Sequence, residues 1–282
     1  MHIVVCIKQV PDSAQIRVHP VTNTIMRQGV PTIINPYDLF SLEEALRLRD
    51  RLGGKVTVLT MGPPMADAAL RKALSIGADA AVLLSDRVFA GSDTLATSYA
   101  LASAIAKIAE TEPVDMVFCG KQTIDGDTAQ VGPGIAKRLD LNQLTYVESI
   151  RSVDLASRKI TVERRAEGGV QVLSTALPCL VTMLEGTNKV RRGTMADMLR
   201  AARTEVPMWS AARAGIPDVA LCGLKGSPTV VKKVFAPQPR KEKAKRIEVE
   251  GNAPADLAAA ALTALFAADA RLEETLFRQT GG

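Results

Sequence analysis

Between residues 2 and 139 four short apolar runs alternate with four helical patterns, and this alternation limits the chain to few architectures. The runs are 2–7, 55–60, 80–84 and 114–118, rich in Val, Ile and Leu and of strand length. The helical patterns cover 38–52, 65–76, 94–110 and 130–139. In the first, Leu39, Leu42, Ala45, Leu46 and Arg49 fall at helical spacing, and Gly53-Gly54 supplies the stop. Ser92 and Asp93 are cap candidates for the third. Strands and helices alternating through short links predict a parallel sheet with helices on its faces. Ligands of such sheets sit outside the carboxyl ends of the strands. A small hairpin is expected within 16–34, where apolar pairs are interrupted by Pro20, Asn23, Gly29 and Pro31.

After residue 143 the pattern changes. The segments 144–147, 160–164, 171–174 and 179–183 read as strands separated by turns such as Glu167-Gly168-Gly169, an antiparallel extension. A short helix is expected over 194–203. Residues 204–252 have little periodicity and several prolines, whereas 253–278 place Leu257, Ala261, Leu265, Leu272 and Leu276 on one helical stripe. The expected organisation is therefore an α/β domain over 1–203 with its extension from about 144, a linker over 204–252, and a helical arm over 253–282.

The densest chemistry lies in the run from Cys119 to Gly134, between the fourth strand and the fourth helix. Glycines, small hydroxyl residues and two carboxylates between a strand end and a helix start collect free backbone N–H groups at the positive end of a helix dipole. That suits an anionic phosphate. Gly126 permits close backbone approach, and Thr128 offers a cap or a hydroxyl donor. Gly132-Pro133-Gly134 lacks the third glycine of a dinucleotide fingerprint, and no GxxxxGK[ST] loop is present. Asp125 and Asp127 have no nucleophile or metal cluster beside them in sequence, so turn and ribose-binding roles are favoured over acid–base chemistry.

Composition removes other classes. Cys6, Cys119, Cys179 and Cys222 are scattered and the chain has two histidines, so neither zinc nor an iron–sulfur cluster is expected. No apolar stretch is long enough to span a bilayer, and the start lacks a signal-peptide pattern. A reduced, cytoplasmic protein with no direct membrane insertion is expected. The net charge of +5 is local: residues 225–246 carry +7, which leaves −2 for the rest. With Phe235 as its one aromatic and three prolines, that stretch reads as a solvated linker, and no nucleic-acid partner is expected.

The run Cys119 to Gly134 resembles the nucleotide-binding signature of the small (beta) subunit of electron-transfer flavoproteins. The resemblance extends over Ile3 to Asp12, Asn35-Pro36-Tyr37-Asp38, Ala45 to Leu48, Met61-Gly62-Pro63 and Leu180-Val181-Thr182, in family order. It implies an adenine-nucleotide-binding α/β fold related to universal-stress proteins and ATP pyrophosphatases. It implies cofactor contacts from Cys6, Lys8, Asn35, Tyr37, Asp38, Met61 and Gly62, from Gly91, Ser92, Asp93 and Thr94, and from Gly120, Lys121, Gln122, Thr123, Ile124, Asp125, Gly126, Asp127, Thr128, Ala129, Gln130, Val131 and Gly132. Read from chemistry alone, Met61 and Cys6 are packing residues more often than ligands, and Ser92 and Asp93 are equally a helix cap.

Family members hold either AMP or, in the subgroup that includes electron-bifurcating and FixA-type proteins of nitrogen-fixing bacteria, FAD. Gly126 in place of an acid, Thr128 to Pro133, and the Ala90-Gly91-Ser92-Asp93-Thr94 segment resemble the FAD-holding subgroup. The implied role is to take electrons from NADH onto a FAD and divide them. One branch leads to ferredoxin or flavodoxin, the other through the FAD of a large (alpha) partner subunit to a quinone oxidoreductase or dehydrogenase. The segment 184–199 resembles the family's partner-recognition loop, which implicates Asn188, Lys189, Arg191 and Arg192 in docking; a solvated loop is the plain alternative. The apolar stripe of the final helix, behind a basic tether, suits docking on the partner subunit. The competing readings are an AMP-holding, non-bifurcating small subunit and a stress-type adenine-nucleotide regulator.

Overall fold

The computed structural model describes residues 1–12, 17–18, 25–26, 31–230 and 253–268. The chain separates into two compact units, Met1–Phe235 and Ala236–Gly282.

The first unit is built on β1 (His2–Cys6), whose residues are all buried. Helix α1 (Pro36–Leu52) starts with Pro36, whose fixed φ and missing N–H suit a first helical position. It leads to β6 (Lys55–Met61), α2 (Asp67–Ser75) and β7 (Ala80–Leu84). Helix α3 (Thr94–Ala109) then crosses to β8 (Met116–Gly120), and α4 (Val131–Arg138) follows. Two short antiparallel pairs intervene after β1: β2 (Gln9–Pro11) with β5 (Thr32–Ile34), and β3 (Arg17–Val18) with β4 (Ile25–Met26). The expected hairpin over 16–34 corresponds to the inner pair and extends into the outer one; residues 16, 19–24 and 27–30 lie outside the described residues.

The sheet order is β11-β10-β9-β12-β8-β1-β6-β7-β13. The chain builds outward from β1 through β6 and β7, then returns to place β8 on the other flank of β1, parallel to it. Reversing the direction of travel puts α1 and α2 on one face and α3 and α4 on the other. The alternation within β1 serves both faces. Ile3 and Val5 join Leu42, Leu46, Leu70 and Leu74, while Val4 and Cys6 join Ala100, Ile105, Ile135 and Ala136. Each buried Leu or Ile contributes about 1.5–3 kcal/mol of transfer free energy.

The part beyond 143 differs from the sequence expectation. Strands β9 (Asn142–Asp154), β10 (Lys159–Ala166) and β11 (Gly169–Ala176) form an antiparallel meander. β12 (Cys179–Met183), expected in the same extension, instead runs parallel to both β8 and β9 and joins them into one sheet. Its five residues are all buried, the signature of a central parallel strand rather than a half-solvated antiparallel one. The fourth strand of the alternation also runs on through Cys119 and Gly120, two residues into the glycine-rich run.

Helix α5 (Met195–Arg203) begins with a capping box in which Thr194 and Asp197 bond each other's backbone. Residues 204–230, expected as the start of a linker, are folded against the first unit. β13 (Met208–Trp209) extends the sheet beside β7, and Ala211, Ala214 and Cys222 are buried against the α3 face. Small residues at these positions allow close packing without a long apolar stripe, so periodicity gives no sign of it. Residues 231–252 of the expected linker lie outside the described residues.

In the second unit, α6 (Pro254–Ala268) carries exposed Leu257, Leu262 and Leu265. Leu272 and Leu276 of the expected stripe lie outside the described residues. Among the described residues no helix is long and apolar enough to cross a membrane.

Candidate functional site

The carboxyl ends of β1 and β8 are the topological switch point of the sheet, where a crevice opens between helices of opposite faces. Three separated segments of sequence meet there. The N-terminal residues of α1 supply the link between the other two. Asp38 is buried, and its two carboxylate oxygens accept the Lys8 N–H at 2.8 Å and the Gly120 N–H at 3.1 Å. One side chain thereby ties the end of β1 to the end of β8. Burial pushes its carboxyl up to about 7, outweighing the two N–H donors that favour the charged form.

Asn35 has the same function one step further out. Its buried amide donates to the Gln122 carbonyl at 2.9 Å and accepts the Ile124 N–H at 3.1 Å. Gly120 is required by this closeness. A Cβ there would stand 2.6 Å from the Cβ of Tyr37 and collide with the Asp38 carboxylate.

Beyond Ile124 the loop closes on itself. Gly126 and Asp127 donate their N–H groups to the Thr123 carbonyl at 3.3 and 2.9 Å, and the Gln122 amide donates to Asp127 at 2.8 Å. Lys8 pairs with Asp125 at 2.7 Å. Partial burial works against ionisation of Asp125, but the hydrogen bond and charge of Lys8 prevail and hold its carboxyl below the usual range. The pair is half-exposed and adds little stability. Asp127 and Ala129 occupy the left-handed region, with φ of 52° and 56°. Gly126 does not, and a Cβ on it would meet nothing closer than the Thr123 hydroxyl at 3.3 Å. The loop's own geometry therefore does not demand glycine at 126; the space it leaves is on the exposed side.

Gln130 precedes α4 and accepts the Thr94 hydroxyl at 2.8 Å, so the starts of α3 and α4 stand side by side at the crevice. The first-turn N–H groups of Leu95 and Ala96 in α3 are taken by the Asp93 carboxylate, whereas α4 has no side-chain cap. Gly132 lies beneath: it is buried, and a Cβ on it would stand 2.8 Å from the Thr182 methyl group. Its glycine is explained by helix-on-sheet packing. Thr128 is exposed on the loop.

Ala90 to Thr94 divides in two. Asp93 caps α3 through the N–H groups of Leu95 and Ala96, and also accepts the Thr229 hydroxyl at 2.7 Å. Ser92 is not a cap: its hydroxyl donates to the Phe89 carbonyl and accepts the Gly223 N–H. Gly91 has φ 74°, and a Cβ there would strike Leu224 at 2.6 Å. Only Thr94 of this segment bonds to the loop of 120–132. Met61 and Gly62 close β6 on the far side of β1, where the Gly62 N–H donates to the Leu84 carbonyl. Cys6 and Cys119 form the floor, paired in register on β1 and β8.

Asn188, Lys189, Arg191 and Arg192 are not part of this crevice. Two of the four are committed to α1 rather than free for a partner. Arg191 forms a two-pronged ion pair with the buried Glu43, at 2.9 and 3.1 Å, and reaches Asp50 at 2.6 Å. Asn188 donates to the Phe40 carbonyl at 3.0 Å. Lys189 and Arg192 are exposed. Basic residues in a loop read alike in sequence whether they face solvent or a buried carboxylate, and Glu43 sits in an otherwise ordinary amphipathic helix.

One residue at the crevice wall carries no sequence signal. Tyr146, with φ 59°, sits where the pairing of β9 with β12 slips, and its N–H donates to the Thr182 hydroxyl at 3.2 Å. The Lys121 ammonium lies between the rings of Tyr146 and Tyr37, 5.4 and 5.9 Å from their centroids. Burial, with Glu185 and Asp127 nearby, pushes the Tyr37 hydroxyl up. Among the described residues no group of three or more His, Cys, Asp or Glu side chains is placed to hold a metal ion.

The crevice thus offers the uncapped α4 N-terminus, an outward-facing glycine turn and a lysine at the switch point of a doubly wound sheet. This is the arrangement that seats the phosphates of a nucleotide. Comparison with known proteins agrees with the architecture. Residues 22–214 match the family model for the electron transfer flavoprotein domain. The chain is 70% identical over 277 residues to Protein FixA of Azorhizobium caulinodans, covering 98% of each. It is 67% identical over 279 residues to Protein FixA of Azotobacter vinelandii, covering 99% of each. The electron transfer flavoprotein subunit beta of Thermoanaerobacterium thermosaccharolyticum is 48% identical over 248 residues, 88% of this chain and 92% of that one. The chain belongs to the electron-transfer flavoprotein family, as a FixA-like protein of the beta-subunit type.

Proposed function

We propose that this chain is the FAD-holding small subunit of a bifurcating electron-transfer flavoprotein, paired with a large alpha subunit. The observation that carries the reading is Gly126: the loop does not need a glycine there, and the side chain it omits would lie on the exposed side of a phosphate seat. A bare backbone at this point accommodates a pyrophosphate, where a single phosphate leaves room for a side chain. The residues fit the group. Gly126 to Gln130, Thr94 and the start of α4 would hold the pyrophosphate. Lys8, Asn35 and Asp38 would fix the loop, and Cys6 and Met61 would underlie the adenosine half. The bound flavin supplies the electron chemistry, with NADH as donor, ferredoxin or flavodoxin on one branch, and the partner's FAD, then a quinone oxidoreductase or dehydrogenase, on the other. The chain's own contribution is to seat and orient the cofactor. Its FixA relatives make nitrogen fixation the fitting physiological setting.

Anaerobic titration with NADH tests the reading. The heterodimer is expected to pass electrons to a low-potential ferredoxin only when the high-potential acceptor is also present. Ferredoxin reduction that ignores the second acceptor, or never occurs, would contradict bifurcation.

The second unit is assigned to partner docking. A largely apolar helix such as α6, with exposed Leu257, Leu262 and Leu265, gains stability by burying its apolar side chains. Each such side chain contributes about 1.5–3 kcal/mol before ordering costs. Removal of residues 250–282 is expected to leave the α/β domain folded and to weaken heterodimer formation. Sedimentation with the large subunit checks this, and an unchanged dissociation constant would contradict it.

A further inference from the structure

Cys6 is the last residue of β1 and Cys119 the last but one of β8. They are register partners on adjacent parallel strands, so their side chains leave the same face of the sheet. That face is roofed by the first turn of α4, where a Cβ on Gly132 would lie 3.6 Å from the Cβ of Cys119. The two thiols are free, and they retain 7% and 5% exposure at the carboxyl edge of the sheet. Parallel neighbours stand about 4.8 Å apart, inside the Cα separation of about 4.4–6.8 Å that a disulfide spans.

We propose that Cys6 and Cys119 are a dithiol that closes to a disulfide under peroxide-class oxidants when the crevice holds no nucleotide. The inference rests on the reading that an adenine nucleotide occupies the crevice above the pair. The interaction with Cys6 and burial push the Cys119 thiol well up. One sulfur of the pair, as its thiolate, takes one oxygen of the peroxide as the O–O bond breaks, giving a sulfenic acid and one water. The other sulfur then attacks it. The S–O bond breaks, the attacking thiol's proton leaves with the hydroxyl as a second water, and the S–S bond forms. The two thiols lose two hydrogens and two electrons, and the peroxide is reduced to two waters.

The bond draws β1 and β8 together beside Asp38, whose oxygens hold the Lys8 and Gly120 N–H groups. The bond is undone by exchange with an external thiol. Oxidation then lowers nucleotide affinity reversibly.

The test treats the full-length chain with hydrogen peroxide, with and without FAD, and maps alkylated peptides under non-reducing conditions. A peptide joining Cys6 to Cys119 is expected without FAD and is expected to disappear on reduction. At FAD a hundredfold above its dissociation constant the unliganded fraction, and with it the rate of closure, falls about a hundredfold. With either cysteine replaced by Ser, oxidation is expected to stop at a sulfenic acid on the remaining one, trapped by dimedone, with no cross-link. No cross-link in the FAD-free chain would overturn the dithiol while leaving FAD binding intact. An equal rate with FAD verifiably bound would overturn the gating. A chain that binds no FAD would overturn the reading of the crevice and the gating with it.

Discussion

Replacing Asp38 with Ala is expected to destabilise the fold by about 2–6 kcal/mol, because two partly buried N–H donors lose their acceptors at about 1–3 kcal/mol each. The donors are those of Lys8 and Gly120, at the ends of the two strands that border the crevice. Urea denaturation should show a lower midpoint with an unchanged slope. Asp38→Asn keeps the size but turns an NH2 group toward one of the donors, so an intermediate loss of about 1–3 kcal/mol is expected. The pH dependence separates charge from geometry. Burial raises the Asp38 carboxyl to about 7 in the folded protein, above its unfolded value. The unfolded chain therefore releases this proton first. The contribution of Asp38 is fully present below about pH 4, is lost as pH rises to about 7, and is level beyond. The Asn variant should lack this decline. Parallel stability–pH profiles for the two proteins would contradict the assignment.

Gly126→Glu is expected to abolish tight nucleotide binding with little change in stability. A Cβ at 126 meets only the Thr123 hydroxyl, at 3.3 Å, and the residue is exposed, so the loop can fold around a side chain. A carboxylate there faces the anion that the start of α4 attracts. Like charges about 4 Å apart at an effective dielectric of about 20 repel by about 4 kcal/mol, which corresponds to nearly a thousandfold in affinity. FAD titration of the purified chain, beside a thermal melt, reads both effects. Binding unchanged within about threefold would place the phosphates elsewhere, since that is well under 1 kcal/mol. The FAD of the large subunit should remain bound, because it belongs to the other chain.

Much of the first 140 residues was legible because helix and strand periodicities differ and short links leave few topologies. The strands at 80–84 and the helix at 94–109 coincide with the expected spans to within a residue. The run at 119–134 was legible as a strand-to-helix turn, and Asn35 and Asp38 as candidates beside it. What sequence did not disclose depends on distant partners. β12 is an apolar pentapeptide that fits either sheet type, and its parallel direction is set by where β8 and β9 stand. Residues 204–230 pack through small side chains such as Ala211 and Ala214, which leave no periodic stripe. Asp93 and Ser92 looked equally like ligands and like structural groups. Their bonds to Thr229 and Gly223 lie more than a hundred residues away in sequence. Arg191 carried the charge of a docking residue, and only the buried Glu43 shows it holding its own loop to α1.

The nucleotide content of the purified complex bears most directly on the central claim. When the heterodimer with its large subunit is denatured and the released nucleotides are separated by chromatography, two FAD per heterodimer and no AMP are expected. One FAD and one AMP per heterodimer would contradict a FAD seat in this chain and leave it an AMP-holding small subunit of the same family.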